Sequence, residues 1–260
     1  MSKLKENKTG EFPLHSSLFW DCNGKVDSTW GYLARNNGDS WRHQLVRWHE
    51  TNNLNTMIFL TYNRDPNCHV NPFVQTYGPN VDWAEAAKWL ARLEPGKHGA
   101  NLIPCLFCDD DPGTARNVAF QNYYVPAACV ALGPYSRAIC LGLEMTEQFS
   151  NESIERIAAI CRNYTDKPLG IHLQYRPGMA LPEGLDFLIY EFSFHPKDGD
   201  KKSVSDIIME AKSVLAACSL PIWFQEMNMN PSGQIAREQS RALLELSKTE
   251  PRIVGLPGPT

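Results

Sequence analysis

The sequence predicts a compact (β/α)8 barrel, the TIM-barrel fold, as a single domain over residues 1–260. Short apolar segments alternate along the chain with segments of helical hydrophobic periodicity, which is typical of a parallel sheet covered by helices. The length suits a minimal eight-stranded barrel. An open, doubly wound sheet would normally carry a glycine-rich phosphate loop after its first strand, and FWDCNGKVD lacks the G-x-G-x-x-G spacing. The barrel is therefore the preferred fold.

Eight apolar segments rich in Ile, Leu, Val and aromatic residues are the candidate strands, because strands buried on both faces are hydrophobic throughout. In chain order they are SSLFWD, NTMIFLTYN, ANLIPCLFCD, RAICLGLE, PLGIHLQY, DFLIYEFSF, PIWFQEMN and RIVGLP. Residues 1–14, which precede them, are predicted to form a poorly structured N-terminal extension.

Helical periodicity follows most of these segments, and residues suited to the N-cap precede it. The predicted helices are residues 40–52, WAEAAKWLARL after Asp82, NESIERIAAICRNY at Ser150, VSDIIMEAKSVLAAC at Ser203, and QIAREQSRALLELS after Ser232. A reduced helix is expected after the fifth strand, where RPGMALPEGL is short and rich in Pro and Gly, and none after the eighth. We interpret NRDPNCHVNPFVQTYGPN and DDDPGTARNVAFQNYYVP as long loops that shape a substrate site.

Composition excludes some classes of partner. A net charge of -4 gives no reason to expect nucleic acid, which requires a basic surface. The chain has no apolar run long enough to cross a membrane, and MSKLKENKTGEF does not resemble a signal peptide. Several of the eight cysteines lie inside apolar segments, as reduced cysteines do. We therefore expect cytoplasmic synthesis, which would also suit a phage-encoded protein released by lysis.

Two glutamates end strands on the predicted catalytic face. Catalytic groups of a (β/α)8 barrel come from the carboxyl ends of its strands. Glu144 follows the apolar segment of strand four in LGLEMTE, and Glu226 ends strand seven in PIWFQEMN. Strands four and seven lie on opposite sides of a small barrel, so these side chains can face each other across the mouth. Two opposed carboxylates are what glycosidic hydrolysis requires.

These two segments resemble those of the clan A retaining glycoside hydrolases, which are (β/α)8 barrels. ICLGLEM is similar to the G-x-E motif at strand four in several of its families, including β-mannanase-like ones, and LPIWFQEMN is similar to their strand-seven segment. The resemblance implies that Glu144 is the acid/base and Glu226 the nucleophile, with a β-linked carbohydrate as substrate and no cofactor. Leu143 departs from the pattern, because many members have there an Asn that holds the sugar 2-hydroxyl. RIVGLPGPT also lacks the tryptophan platform that strand eight often supplies.

Other polar and aromatic residues at strand ends are predicted to hold the sugar. They are Trp20, Asp21, Asn63, His172, Tyr190, Glu191 and Asn228. The resemblance places Tyr190 where many members have an aromatic residue or His bonded to the nucleophile. Because side chains alternate along a strand, only one of Tyr190 and Glu191 is expected to point inward, and the sequence leaves open which one.

Two rival functions remain open from the sequence. A metal-dependent barrel hydrolase would use the acidic loop Asp109, Asp110 and Asp111 together with His172, although we expect no metal. A carbohydrate-binding or structural barrel, for example in a viral or cell-surface assembly, would have no catalytic use for Glu226. A chelator distinguishes the first rival, and the substitution Glu226→Gln distinguishes the second. The sequence indicates neither the sugar, nor the linkage, nor the oligomeric state.

Overall fold

The computed structural model is a closed barrel of eight parallel strands in sequential order, which confirms the predicted fold. It describes residues 14–19, 56–61, 82–92, 101–107, 113, 116–192, 202–225 and 234–257. The strands are β1 (Leu14–Phe19), β2 (Thr56–Leu60), β3 (Asn101–Phe107), β4 (Ile139–Gly142), β5 (Leu169–Leu173), β6 (Phe187–Glu191), β7 (Ile222–Gln225) and β8 (Ile253–Pro257). The helices are α1 (Trp83–Arg92), α2 (Val118–Leu132), α3 (Met145–Gln148), α4 (Asn151–Arg162), α5 (Val204–Ala217) and α6 (Gln234–Thr249).

The central strands are buried on both faces. Every residue of β4, β5, β6 and β7 is buried, since one face meets the barrel interior and the other meets the helices. This explains why these segments are largely hydrophobic instead of alternating regularly with polar residues. β8 closes the barrel by pairing in parallel with β1.

Two glycines make room for large aromatic side chains in the barrel. A Cβ at Gly170 in β5 would lie 2.6 Å from the ring of Phe187 in β6. A Cβ at Gly255 in β8 would overlap the ring of Trp223, its register partner in β7. Trp223 is only 1% exposed, so it is a core residue and not part of a sugar platform.

The helices begin where capping residues predict. Ser150 accepts a hydrogen bond from the Ser153 amide at the start of α4. Ser203 and Asp206 form a reciprocal capping box at the start of α5. The predicted helix at 40–52 lies outside the described residues.

The interpretation of DDDPGTARNVAFQNYYVP as a loop is wrong in its second half. Helix α2 begins at Val118, after its N-cap Asn117, and continues through Pro126. A proline inside a helix removes one backbone hydrogen bond, and for that reason the sequence indicates a break. Packing outweighs this cost, because Tyr124, Val125 and Ala128 are all buried.

A reduced helix was expected between β5 and β6, and the structure has no helix there. Residues 174–186 contain turns with positive φ at Gly178 and Gly184 instead. Asp186 anchors the end of this segment, because it forms an ion pair with Arg162 and accepts a hydrogen bond from the Leu169 amide.

The described cysteines are reduced and buried: Cys105, Cys129, Cys140, Cys161 and Cys218. In the part of the chain that the structure describes, no helix is both long and apolar enough to cross a bilayer.

Candidate active site

The carboxyl ends of β4 to β7 bring polar side chains to one level of the barrel mouth. Glu191 pairs in register with Gln225 in the neighbouring strand. Gln174 and Glu191 follow the registered pair Leu173 and Tyr190 by one residue, and their side chains are hydrogen bonded. Glu144 and Gln174 each lie four residues beyond the registered pair Cys140 and Gly170. We call Glu144, Gln174, Glu191 and Gln225 the mouth layer.

The backbone at Glu144 is unusual. Its φ of 43° and ψ of 32° are left-handed, and it is the one non-glycine residue with positive φ in the described part of the chain. A left-handed conformation costs an L-residue about 1–2 kcal/mol. Strain of this kind persists only where the surroundings impose it, and it concentrates at functional sites. The side chain makes no capping hydrogen bond to α3, which begins at the next residue, so capping does not explain the conformation.

Gly142 explains why the chain turns at Glu144. A Cβ at Gly142 would lie 2.5 Å from Cγ of Met145 and 3.1 Å from the Phe107 carbonyl oxygen. The absence of a side chain therefore lets Met145 fold back over the end of β4. Met145 is 1% exposed, and this buried anchor holds the turn in which Glu144, its neighbour, is half-buried. The glycine of the G-x-E motif thus has a positioning role.

Glu191, and not Tyr190, points into the barrel. The Tyr190 hydroxyl donates a 2.6 Å hydrogen bond to Glu210 in α5, which also forms an ion pair with Lys202. Tyr190 therefore faces the helix layer, away from the mouth where it was expected to hold the sugar or contact the nucleophile. Burial and the Glu210 carboxylate raise the pKa of Tyr190 above its usual range, so the hydroxyl remains protonated.

Glu191 lies at the inner rim with a polar neighbour on each side. It is 8% exposed, and its Oε1 accepts a hydrogen bond of 3.3 Å from Nε2 of Gln174. Gln225, its register partner in β7, is 2% exposed. Neither glutamine was among the predicted site residues, although both share the alternation of Glu191 and could have been found from it.

His172 lies one level below the mouth. It pairs in register with Ile189 and is 0% exposed, so it lies in the barrel core and not at the mouth, where it was predicted to contact the sugar. Burial lowers the pKa of His172 to about 4, and the imidazole is therefore neutral at pH 7. The alternative of a metal-dependent hydrolase required His172 as a ligand at the mouth, and this histidine lies below the mouth. The described residues also contain no cluster of side chains that could hold a metal ion.

The other predicted site residues lie outside the described residues. They are Glu226, Trp20, Asp21, Asn63, Asn228, Asp109, Asp110 and Asp111. Glu226 directly follows Gln225, the last residue of β7.

The barrel is similar to solved glycoside hydrolases over nearly its whole length. A GH113 β-1,4-mannanase aligns at 13% identity over 94% of this chain and 87% of that chain, with a TM-score of 0.58. The endo-1,4-β-mannanase from Rhizomucor miehei aligns at 10% identity over 94% and 84%, with a TM-score of 0.62. A family 1 β-glucosidase from Thermotoga maritima aligns at 10% identity over 94% and 87%, with a TM-score of 0.58.

These similarities confirm the resemblance to clan A glycoside hydrolases at the level of the fold. No protein-family model matches the sequence, and no curated protein does. At such low identities the shared fold does not carry a reaction with it, so the reaction has to be argued from the site itself.

Proposed function

We propose that this chain is a retaining glycoside hydrolase that cleaves a β-linked polysaccharide or oligosaccharide. The single observation that carries the proposal is the strained left-handed backbone of Glu144 at the carboxyl end of β4. It holds a glutamate at the barrel mouth, where barrel enzymes place catalytic groups. Glu226 directly follows β7, three strands away around the barrel.

The proposed reaction has two steps. Glu144, protonated, donates its proton to the leaving oxygen while Glu226 attacks the anomeric carbon and forms a covalent glycosyl-enzyme. Glu144 then removes a proton from water, which attacks the anomeric carbon and releases Glu226. Two displacements at one carbon retain its configuration, and no cofactor is required.

The sugar would contact the mouth layer and the strand-end residues nearby. Glu191, Gln174 and Gln225 supply hydrogen-bonding groups at β5 to β7. Trp20 would provide an aromatic face, and Asp21, Asn63 and Asn228 are proposed as polar contacts.

Leu143 affects how the sugar is held. It is 2% exposed and cannot replace the asparagine that many clan A members have before the acid/base. A hydrogen bond to the sugar 2-hydroxyl would therefore have to come from another residue. We infer that substrate preference differs from that of members with the asparagine.

Release of reducing ends from a panel of β-linked polysaccharides tests the proposal. Wild type, Glu144→Gln and Glu226→Gln would be compared, with Glu147→Gln as the matched control because Glu147 is exposed in the adjacent helix α3. We expect release by wild type and Glu147→Gln, and a loss of about a hundredfold or more in the other two variants. Release that survives either of those two substitutions contradicts the proposal. Glycan binding without release would favour the carbohydrate-binding barrel.

A further inference from the structure

Glu191 is a buried carboxyl group for which the fold supplies too few hydrogen bonds. One oxygen, Oε1, accepts from Gln174. The other, Oε2, is buried, and in the part of the chain that the structure describes no group donates to it. No lysine or arginine among those residues forms an ion pair with Glu191 either. A buried acceptor without a donor costs about 1–3 kcal/mol, and more when it is charged.

The Glu191 side chain points into the barrel at the carboxyl end of β6. Tyr190 points to the helices, so Glu191, the next residue of β6, points into the barrel. Glu191 pairs in register with Gln225, and Glu226 follows Gln225 in the chain. Neighbouring strands are about 4.8 Å apart. Glu191 therefore points into the barrel at the same level as Gln225, the last residue of the neighbouring strand β7.

We propose that Glu191 is a specificity-determining residue, which accepts a hydrogen bond from a hydroxyl or amino group on a sugar ring bound at the barrel mouth beside Gln174 and Gln225. Gln174 holds the carboxylate in position, and Oε2 receives the donor from the substrate. Neutral sugars and amino sugars satisfy this oxygen, whereas a uronic acid brings a second negative charge against it. This inference rests on the proposed function for one premise, that the barrel mouth binds a sugar.

Binding to a catalytically silent enzyme tests the inference. In the Glu144→Gln background, calorimetry would measure the affinity for β-1,4-linked trisaccharides of mannose, glucosamine and glucuronic acid. We expect the glucuronic acid trisaccharide to bind most weakly of the three. Adding Glu191→Leu should weaken the better of the other two by roughly 10- to 100-fold, as the loss of a hydrogen bond to a charged group does.

Monodeoxy analogues separate recognition from a structural effect. The analogue that lacks the donating hydroxyl should bind more weakly than the parent trisaccharide to the enzyme with Glu191. The same analogue and the parent should bind equally well to Glu191→Leu, because the hydroxyl and Glu191 act as one pair. Glu210→Gln is the matched control. Glu210 belongs to helix α5 and contacts β6 from outside the barrel through Tyr190, so its substitution should leave the affinities unchanged. Urea unfolding of each variant checks that it is folded, and Glu191→Gln serves if Glu191→Leu does not fold.

The outcomes for the two proposals differ. The inference is overturned if Glu191→Leu changes the affinity for the trisaccharide by less than about threefold. It is also overturned if each deoxy analogue loses the same affinity with Glu191 present as with Glu191→Leu, even if wild type hydrolyses the substrate. If wild type hydrolyses nothing but binds with the expected dependence on Glu191, the inference survives and the proposed function fails. Absence of binding to every trisaccharide overturns the inference.

Discussion

Replacing Glu144 by glycine should cost less stability than replacing it by alanine. Both variants lose the same carboxylate and its contacts, so their difference reports the backbone alone. At φ 43° an alanine bears a strain of about 1–2 kcal/mol that glycine does not. Glycine loses about 0.5–1 kcal/mol more conformational entropy on folding. We therefore expect Glu144→Gly to be more stable than Glu144→Ala by about 1 kcal/mol.

Urea unfolding measures this difference, provided that the two variants share one slope. The matched control is Ala87→Gly in the middle of α1, where helical backbone favours alanine and glycine should cost about 1 kcal/mol. The signs at the two positions should therefore be opposite. A Glu144→Ala variant that is more stable than Glu144→Gly by about 1 kcal/mol, as expected for alanine over glycine at position 87, would refute the strain, and with it the observation on which the proposed function depends.

Three further predictions concern the barrel around the site. Tyr190→Phe should lower the free energy of unfolding by about 1–3 kcal/mol, because the bond to Glu210 is lost, and should leave KM unchanged; a large rise in KM would place Tyr190 at the substrate after all. Gly255→Ala should lower the midpoint of urea unfolding by the equivalent of about 1–3 kcal/mol, because the new Cβ overlaps Trp223, and an unchanged midpoint would contradict this packing. His172 has a pKa of about 4 when folded and about 6.5 when unfolded, so the unfolded state binds the proton first as pH falls. About 3 kcal/mol of stability should therefore be present above pH 6.5 and be lost between pH 6.5 and 4, and this component should vanish from the pH profile of His172→Leu.

The central strands β4 to β7 could be predicted because each is largely apolar on both faces and is bounded by polar or Gly/Pro-rich segments. The same burial limits prediction of the site. In β6 both faces are enclosed, so the pattern of FLIYE does not separate Tyr190 from Glu191. Only the hydrogen bond from Tyr190 to α5 shows which residue points inward.

Helix α2 and the position of His172 could not be predicted from the neighbouring sequence, because each depends on contacts with distant segments. Helix α2 contains Pro126, and its stability comes from packing of distant segments, such as Trp83 of α1 against Tyr124 with ring centroids 5.2 Å apart. His172 precedes Leu173 at the end of β5, and the mouth begins only with Gln174. One residue along the strand separates a core histidine from a group at the mouth.

The configuration of the first product tests the central claim most directly, once a substrate has been identified on the polysaccharide panel. Proton NMR during early hydrolysis distinguishes the two anomers before they interconvert. A retaining pair made of Glu144 and Glu226 predicts that the β-anomer appears first. Initial appearance of the α-anomer would contradict a glycosyl-enzyme on Glu226, because it requires a single displacement by water.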